Sequence, residues 1–192
     1  MATLNTTNIK HESSGYNNIV LASDGSTTIS NLSGGVGKIL QLQSVTNTDT
    51  ASVTDGTADI PGLSITITPA SASNKFYITG KVQLSRMYGS VSSCLITVNG
   101  TVVGNADTAS SRPLAHTGMG YQQEADQYQS VGIPVDLLVN ASNANAHTIK
   151  LQMSQPITGF TRTTYINRGQ TDPDGNAGPR YVSTLTVMEI KA

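Results

Sequence analysis

Apolar and polar residues alternate along most of the chain after Lys38, and this alternation predicts short strands. In the segment 63–68, LSITIT, every second side chain is apolar and the others carry hydroxyl groups, which is the period of a half-buried strand. No window has the spacing of an amphipathic helix. Strands are likewise predicted in the segments 39–42, 76–84, 96–103, 131–137, 149–153, 163–166 and 181–188.

About eight strands with frequent turns are typical of an all-β sandwich, jelly roll or barrel. Four apolar residues of the segment 76–84 share one face, so they are expected in the core. The clearest turn is Asn99-Gly100, which separates two apolar runs, because both residues tolerate the positive φ of a type I′ hairpin. We therefore predict one β domain over residues 38–192.

Residues 1–37 differ from the rest, because their apolar residues form small, separated clusters between turn residues. Such a segment cannot bury a core of its own, so we expect either a disordered arm or an arm that becomes ordered against a partner. The spaced clusters favour the second, and they predict an extended N-terminal attachment arm. Its candidate docking residues are Ile9, Ile19, Val20, Leu21, Ile29 and Leu32.

Charged residues are scarce, at 12% of the chain with a net charge of −1, so capture of nucleic acid by clustered lysine and arginine is not expected. Tryptophan is absent and aromatic residues make up 5%, so the core must come mainly from Val, Ile and Leu. Cys94 is the single cysteine, which excludes an internal disulfide and fits folding in a reducing cytoplasm. No secretory signal or membrane-spanning apolar run is visible.

Two short motifs suggest ligand binding but fail on inspection. The segment 34–38, GGVGK, is similar to a phosphate-binding loop, but Ile39 stands where a hydroxyl is needed for magnesium, so a flexible hinge is expected. The segment 172–176, DPDGN, is similar to a calcium loop, but its twelfth position would be Ser183 rather than glutamate, so a plain turn is expected. No catalytic motif is found, and we predict no enzyme, metal or cofactor. The histidines lack metal-ligand spacing and are expected to be surface or partly packed residues: His11, His116 and His147.

Two long connections, residues 105–127 and 169–180, are expected to carry contacts, because long loops on a β scaffold are commonly binding or subunit surfaces. Tyrosine and arginine lie in or beside them, and both are enriched where proteins meet. The same side chains would also suit a sugar-binding surface. The candidate contact residues are Arg112, Tyr121, Tyr128, Arg162, Tyr165, Arg168, Arg180 and Tyr181.

Two parts of the sequence resemble structural proteins of tailed phages, with marine and cyanobacterial phages as the closest association. The opening LNTTNIKHESS at 4–14, with NNIVL at 17–21 and Gly25, looks like the start of such proteins. The later part is similar to a β domain of fibre and appendage proteins, and together the two cover nearly the whole chain. Its matching segments are GKILQ at 37–41, PGLSITITP at 61–69 and STLTVMEI at 183–190.

The resemblance implies a virion protein, made in the host cytoplasm, whose arm docks on a capsid or tail partner. The domain is expected to be a trimeric jelly roll of the tumour-necrosis-factor-like type that serves as a decoration or fibre protein. No catalytic residues are transferred by the resemblance. One alternative is a receptor-binding tail-fibre module that recognises host glycan or surface protein through its loops. Another is a phage enzyme such as a depolymerase.

Overall fold

The computed structural model shows strands and no helix in the part of the chain that it describes. The chain divides into two compact units, Met1–Lys38 and Ile39–Ala192. No helix among the described residues is long and apolar enough to cross a membrane. The described residues are 7–9, 12–13, 19–21, 23–24, 27–29, 37–87, 89–107, 109–120, 127–157, 161–176 and 178–192.

The first unit contains three short strands, β1 (Asn8–Ile9), β2 (Ile19–Leu21) and β3 (Thr27–Ile29). They form one antiparallel sheet in the order β1-β2-β3. None of the side chains whose burial is described in this unit is buried, and its strands pair through backbone hydrogen bonds. Strands this short are marginally stable alone in water.

The second unit is built from strands of three to twelve residues. Its longest strands are β6, which ends before the turn at residues 68–74, and β7, which begins after it. The bounds are β4 Ile39–Asn47, β5 Ala51–Thr54, β6 Gly56–Ile67, β7 Lys75–Arg86, β8 Ser92–Val98, β9 Thr101–Val103, β10 Thr117–Met119, β11 Val131–Asn140, β12 His147–Gln155, β13 Thr163–Ile166 and β14 Ser183–Ile190.

Two antiparallel sheets form a sandwich with jelly-roll strand order. In one sheet, β4, β14, β7 and β11 are successive neighbours, and β5 pairs with β13, which lies beside the far part of β7. In the other sheet the order is β6-β12-β8-β10, with β9 beside β8. Successive long strands alternate between the two sheets, as in a jelly roll. The predicted fold class, an all-β jelly-roll-like sandwich, is confirmed.

The core lies between the sheets, where the alternation of residues predicts it. Phe76, Ile78, Val82 and Leu84 of β7 are each fully buried, which confirms the face predicted for this segment. They belong to one cluster with buried residues of the other sheet, such as Ile149. Burial of each such side chain contributes about 1.5–3 kcal/mol, so this cluster is the main stabilising feature of the unit.

Strand β6 begins earlier than predicted, at Gly56 rather than at residue 63, and runs through Pro61. Its register against β12 shifts beside this proline, where Gly62 has a φ of 74°. Pro134 likewise lies inside β11. Both strands are at sheet edges, where the N–H group that proline lacks is not needed for the ladder.

The predicted hairpin at Asn99-Gly100 is confirmed. The φ angles are 51° for Asn99 and 80° for Gly100, and the turn joins β8 to β9. Strands β5 and β10, which have four and three residues, were not predicted.

Candidate functional site

The outer face of the sheet formed by β4, β14, β7 and β11 carries exposed apolar side chains. Strand register places Leu42, Met188, Tyr77 and Leu138 side by side across the four strands. Leu42 is 54% exposed and Leu138 is 52% exposed. We call these four residues the apolar row.

Ile39 and Ile190, which the strand register places opposite each other, extend the apolar row toward the end of the sandwich at which the chain enters this unit. Ile39 is exposed, and Ile190 is half-buried two positions from Met188, on the same side of β14. We call these two residues and the apolar row together the apolar patch. Contiguous exposed apolar side chains of this kind mark binding or assembly surfaces.

Polar groups that pair with one another border the apolar patch. Ser44 Oγ and Thr186 Oγ1 lie 2.9 Å apart. The Tyr77 hydroxyl donates to Asp136 Oδ2 at 3.0 Å, and this hydrogen bond raises the pKa of Tyr77. The row next to the apolar row consists of Ser44, Thr186, Thr79 and Asp136.

The outer face of the second sheet is polar over β6 and β12, and its groups there also pair with one another. Lys150 Nζ and Gln152 Nε2 donate to the carboxylate of Asp59 at 2.6 and 2.7 Å. These hydrogen bonds, the one from Lys150 first, lower the pKa of Asp59. This face therefore has hydrogen-bonded polar groups where the other has aliphatic carbon. Hydroxyl pairs on the same face are Thr57–Ser154 at 2.8 Å and Thr66–Thr148 at 3.1 Å.

Several of the predicted tyrosine and arginine residues meet at the end of the sandwich where β7 ends. The guanidinium carbon of Arg168 lies 4.4 Å from the centre of the Tyr165 ring, which is a cation–π arrangement. A Cβ atom on Gly169 would lie 3.0 Å from the carbonyl oxygen of Tyr128, so the segments carrying Arg168 and Tyr128 are in contact. We call this region the loop end.

Asn167 organises the loop end, and sequence reasoning missed it. This residue is fully buried and has a φ of 58°. Its Nδ2 donates to the carbonyl of Asn47 at 2.9 Å, and Ser183 Oγ donates to its Oδ1 at 2.7 Å. The backbone N–H of Tyr181 donates to its carbonyl at 3.0 Å. Residues 168–182 leave the sheet after β13 and return to it at β14. Asn167 therefore connects the two ends of this segment.

The segment 172–176 forms a turn held by an ion pair. Arg180 donates to both carboxylate oxygens of Asp172, at 2.9 and 2.6 Å. The neighbouring Asp174 is exposed. Within the described ranges, no group of three His, Cys, Asp or Glu side chains is arranged to hold a metal ion. The segment 34–36 of the glycine motif lies outside the described residues.

The other predicted loop residues take part in contacts with different residues. Arg162 is half-buried, and its backbone N–H donates to Asp55 Oδ1 at 3.0 Å. Arg112 is exposed and lines a separate concavity with Met119. Tyr121 lies outside the described residues. That these residues contact a partner stays a prediction.

The predicted docking residues of the first unit are described in part. Ile9 and Leu21 are exposed, while Ile19 and Val20 are half-buried. Ile29 lies in β3, but its side chain is outside the described part, as is the whole of Leu32. Docking of these residues on a partner stays a prediction.

Two buried groups bear on the predicted chemistry. His147 is 3% exposed, with its ring edge-on to Phe76 at 5.2 Å and its Nδ1 donating to Asn145 O at 2.7 Å. His147 is more deeply buried than the surface or partly packed position expected of it, because the ring contact and this hydrogen bond accommodate the imidazole inside. Cys94 is fully buried, as expected for a small hydrophobe, and burial raises the pKa of its thiol to about 12. His11 lies outside the described residues.

The strand order and the two outer faces define an all-β jelly-roll protein with an exposed apolar sheet face. No protein-family model matches the sequence, and no curated protein matches it. The chain is similar to a solved structure of infectious bursal disease virus, Gt strain, with 16% identity over 89% of this chain and 42% of that chain and a TM-score of 0.39. It is also similar to the infectious bursal disease virus VP2 subviral particle, with 13% identity over 79% of this chain and 37% of that chain and a TM-score of 0.37. The chain spans about two fifths of the length of these solved chains.

Proposed function

We propose that this chain is a virion structural protein of a tailed phage, attached to the capsid or tail as a decoration or fibre protein. It acts by assembly rather than by catalysis. The apolar patch is the observation that supports this most, because it lies outside a sheet whose inner side is already packed into the core. Covering such side chains with a partner contributes about 25 cal/mol for each Å² of apolar surface removed from water. The resemblance to tailed-phage structural proteins is the reason that we propose a phage particle as its location.

The segment 1–37 is proposed to be the attachment arm. Ile9 is 43% exposed and Leu21 is 40% exposed, so both offer apolar surface that a capsid or tail protein would cover. A homo-oligomer, with a trimer favoured by the resemblance, presents several arms at once. Several weak contacts then act together as one strong attachment.

Labelling of intact particles tests the proposed function. Particles of the virus that encodes this chain would be purified and probed with a gold-labelled antibody against residues 39–192. We expect regular labelling on the particle surface. Recovery of the protein only from the soluble fraction of infected cells would contradict a virion role.

Deletion of residues 1–36 tests the arm separately. The buried core cluster lies entirely within the second unit, so the shortened chain should fold and associate as the full chain does. It should no longer join the particle. Normal incorporation of the shortened chain would show that attachment does not use the arm.

Receptor binding at the loop end is the second candidate function, and the Arg168–Tyr165 stack is the observation that favours it. A guanidinium on an aromatic ring, with the exposed ring of Tyr128 on a neighbouring segment, offers flat surfaces for host glycan. Adsorption of the purified protein to host cells tests it. An Arg168→Ala variant with unchanged adsorption would contradict it.

A further inference from the structure

We infer that the outer face of the sheet formed by β4, β14, β7 and β11 packs against the same sheet of a second copy of this chain. This inference rests on the proposed function and names the surface through which assembly occurs. Its centre is the apolar row, in which Leu42 and Leu138 at the two flanks are more than half exposed.

The chemistry of this face favours a protein surface over a sugar. The side chains of Leu42, Leu138 and Met188 have no hydrogen-bond donors, and they form a flat aliphatic surface across four strands. The Tyr77 hydroxyl, the polar group of this row, is already bonded to Asp136. A sheet with aliphatic carbon on its outside is complemented best by another sheet of the same kind, as in sheet-on-sheet packing.

The size of the face fits a stable self-association. Four strands spaced about 4.8 Å apart and about eight residues long give a face of roughly 19 by 27 Å, or about 500 Å² in projection. Side-chain corrugation makes the accessible area larger. A standard interface buries about 800 Å² on each partner, so this single face supplies roughly three fifths of that area in projection alone.

The charges on the face are compatible with a second copy. Its described outward positions carry two cations, Lys75 and Lys81, and one anion, Asp136. Lys81 is exposed, and strand register places it diagonally from Asp136 across β7 and β11. Positive and negative groups are therefore mixed on this face, and these positions form no block of like charge that would repel a second copy.

Sedimentation velocity of the full chain, from about 1 to about 100 μM, tests the inference. We expect the unmodified chain to self-associate. Leu42→Asp should raise the dissociation constant at least about tenfold, because it places a charge in an apolar contact. The matched control is Ser64→Asp, which adds the same carboxylate to the outer face of the other sheet, at an exposed position opposite Lys150. This control should associate like the unmodified chain.

Loss of folding is separated from loss of association by two checks. Leu42 is more than half exposed, so at a protein concentration low enough for both variants to be monomeric the thermal unfolding midpoint of Leu42→Asp should match that of Ser64→Asp. Leu138→Asp, on the opposite flank of the row, should have the same effect on association. Agreement between two variants on different strands excludes a local defect in β4.

Three outcomes would overturn the inference. The first is a monomer at every concentration, and the second is an oligomer that is insensitive to both Leu42→Asp and Leu138→Asp. The third is an oligomer that only Leu21→Asp dissociates, which would assign the contact to the first unit. If particles are labelled but the inference fails, the proposed function stands. If Leu42→Asp dissociates an oligomer that is never found on particles, the proposed function fails and the interface stands.

Discussion

The outer face of the sandwich around Leu42 and the outer face around Asp59 have the same architecture but different chemistry. Both belong to antiparallel sheets with the shared core on their inner sides, where alternation predicts polar residues outside. The face around Asp59 follows this rule, and its carboxylate, ammonium and amide groups pair with one another. The face around Leu42 departs from it at the apolar patch. We attribute this departure to the proposed assembly.

The largest expected effect comes from comparing a substitution on the inner side of the sheet that carries the patch with one on its outer side. Leu185 of β14 is fully buried, while Leu42 of the neighbouring β4 is 54% exposed. Leu185→Ala should lower the free energy of unfolding by about 2–5 kcal/mol because it leaves a cavity. Leu42→Ala should change it by less than about 0.5 kcal/mol in the monomer. Urea unfolding at low protein concentration measures both, and an equal loss would mean that Leu42 belongs to the core.

The next effect concerns Glu189, an ionisable side chain of β14 that points inward beside the patch and is fully buried. Gln41 Nε2 and the backbone N–H of Ala70 each donate to its carboxylate at 2.7 Å, and Asn74 Nδ2 donates as well. Glu189→Gln turns an amide group toward these donors. It should lower the free energy of unfolding by about 1–3 kcal/mol, measured by urea unfolding at neutral pH.

The pH dependence of stability checks the same group. Burial raises the pKa of Glu189, but the hydrogen bonds from Gln41, Asn74 and the backbone outweigh it and leave the pKa lowered. The stabilisation is therefore complete above the unfolded value of about 4.3 and is lost as the pH falls through the lower, folded value. The difference between the unmodified chain and Glu189→Gln should shrink across that window. A constant difference would contradict an ionised carboxylate.

A smaller effect is expected on the polar face. Asp59→Asn removes the charge that Lys150 and Gln152 share. Because the Lys150 and Asp59 side chains are 40% and 46% exposed, solvent screens the pair and the loss should be about 0.2–1 kcal/mol. Added salt should reduce this difference further. Self-association should be unchanged, and dissociation of the oligomer by Asp59→Asn would contradict the contrast between the faces.

The smallest effect is expected at Tyr77, the residue of the apolar row whose hydroxyl reaches Asp136. Tyr77→Phe removes the hydroxyl bonded to Asp136 but keeps the ring. The thermal midpoint should not change measurably, because the bond is exposed. In an alkaline absorbance titration, the phenol with the raised pKa should disappear. Its persistence in the variant would assign that titration to another tyrosine.

Alternation predicted the inner faces of the strands and the Asn99-Gly100 turn, because both depend on neighbouring residues alone. It did not predict β5 or β10, which pair through register rather than through a visible pattern. The burial of Asn167 depends on carbonyl groups from Asn47 and Asp49, which are 120 and 118 residues away. No local signal marks such a contact.

The apolar patch could not be predicted from the sequence, for a related reason. Ile39 and Leu42 were visible as apolar residues of one strand, but Leu138 was not part of any predicted strand. Only the register of four strands brings Leu42, Met188, Tyr77 and Leu138 into one row. The sequence-based candidates were therefore the arm and the loops, and the sheet face emerged from the fold.

The rate of maleimide labelling tests the central claim most directly, because it reports whether the patch is covered in the assembled protein. Leu138→Cys and Ser64→Cys place a thiol on an exposed position of each face, and the native Cys94 is buried with a pKa of about 12, so it should react slowly. As the protein concentration rises into the range of association, labelling of Leu138→Cys should slow at least about tenfold, as expected for a thiol inside a desolvated contact. Labelling of Ser64→Cys should stay constant. Equally fast labelling of both thiols at every concentration would contradict the account.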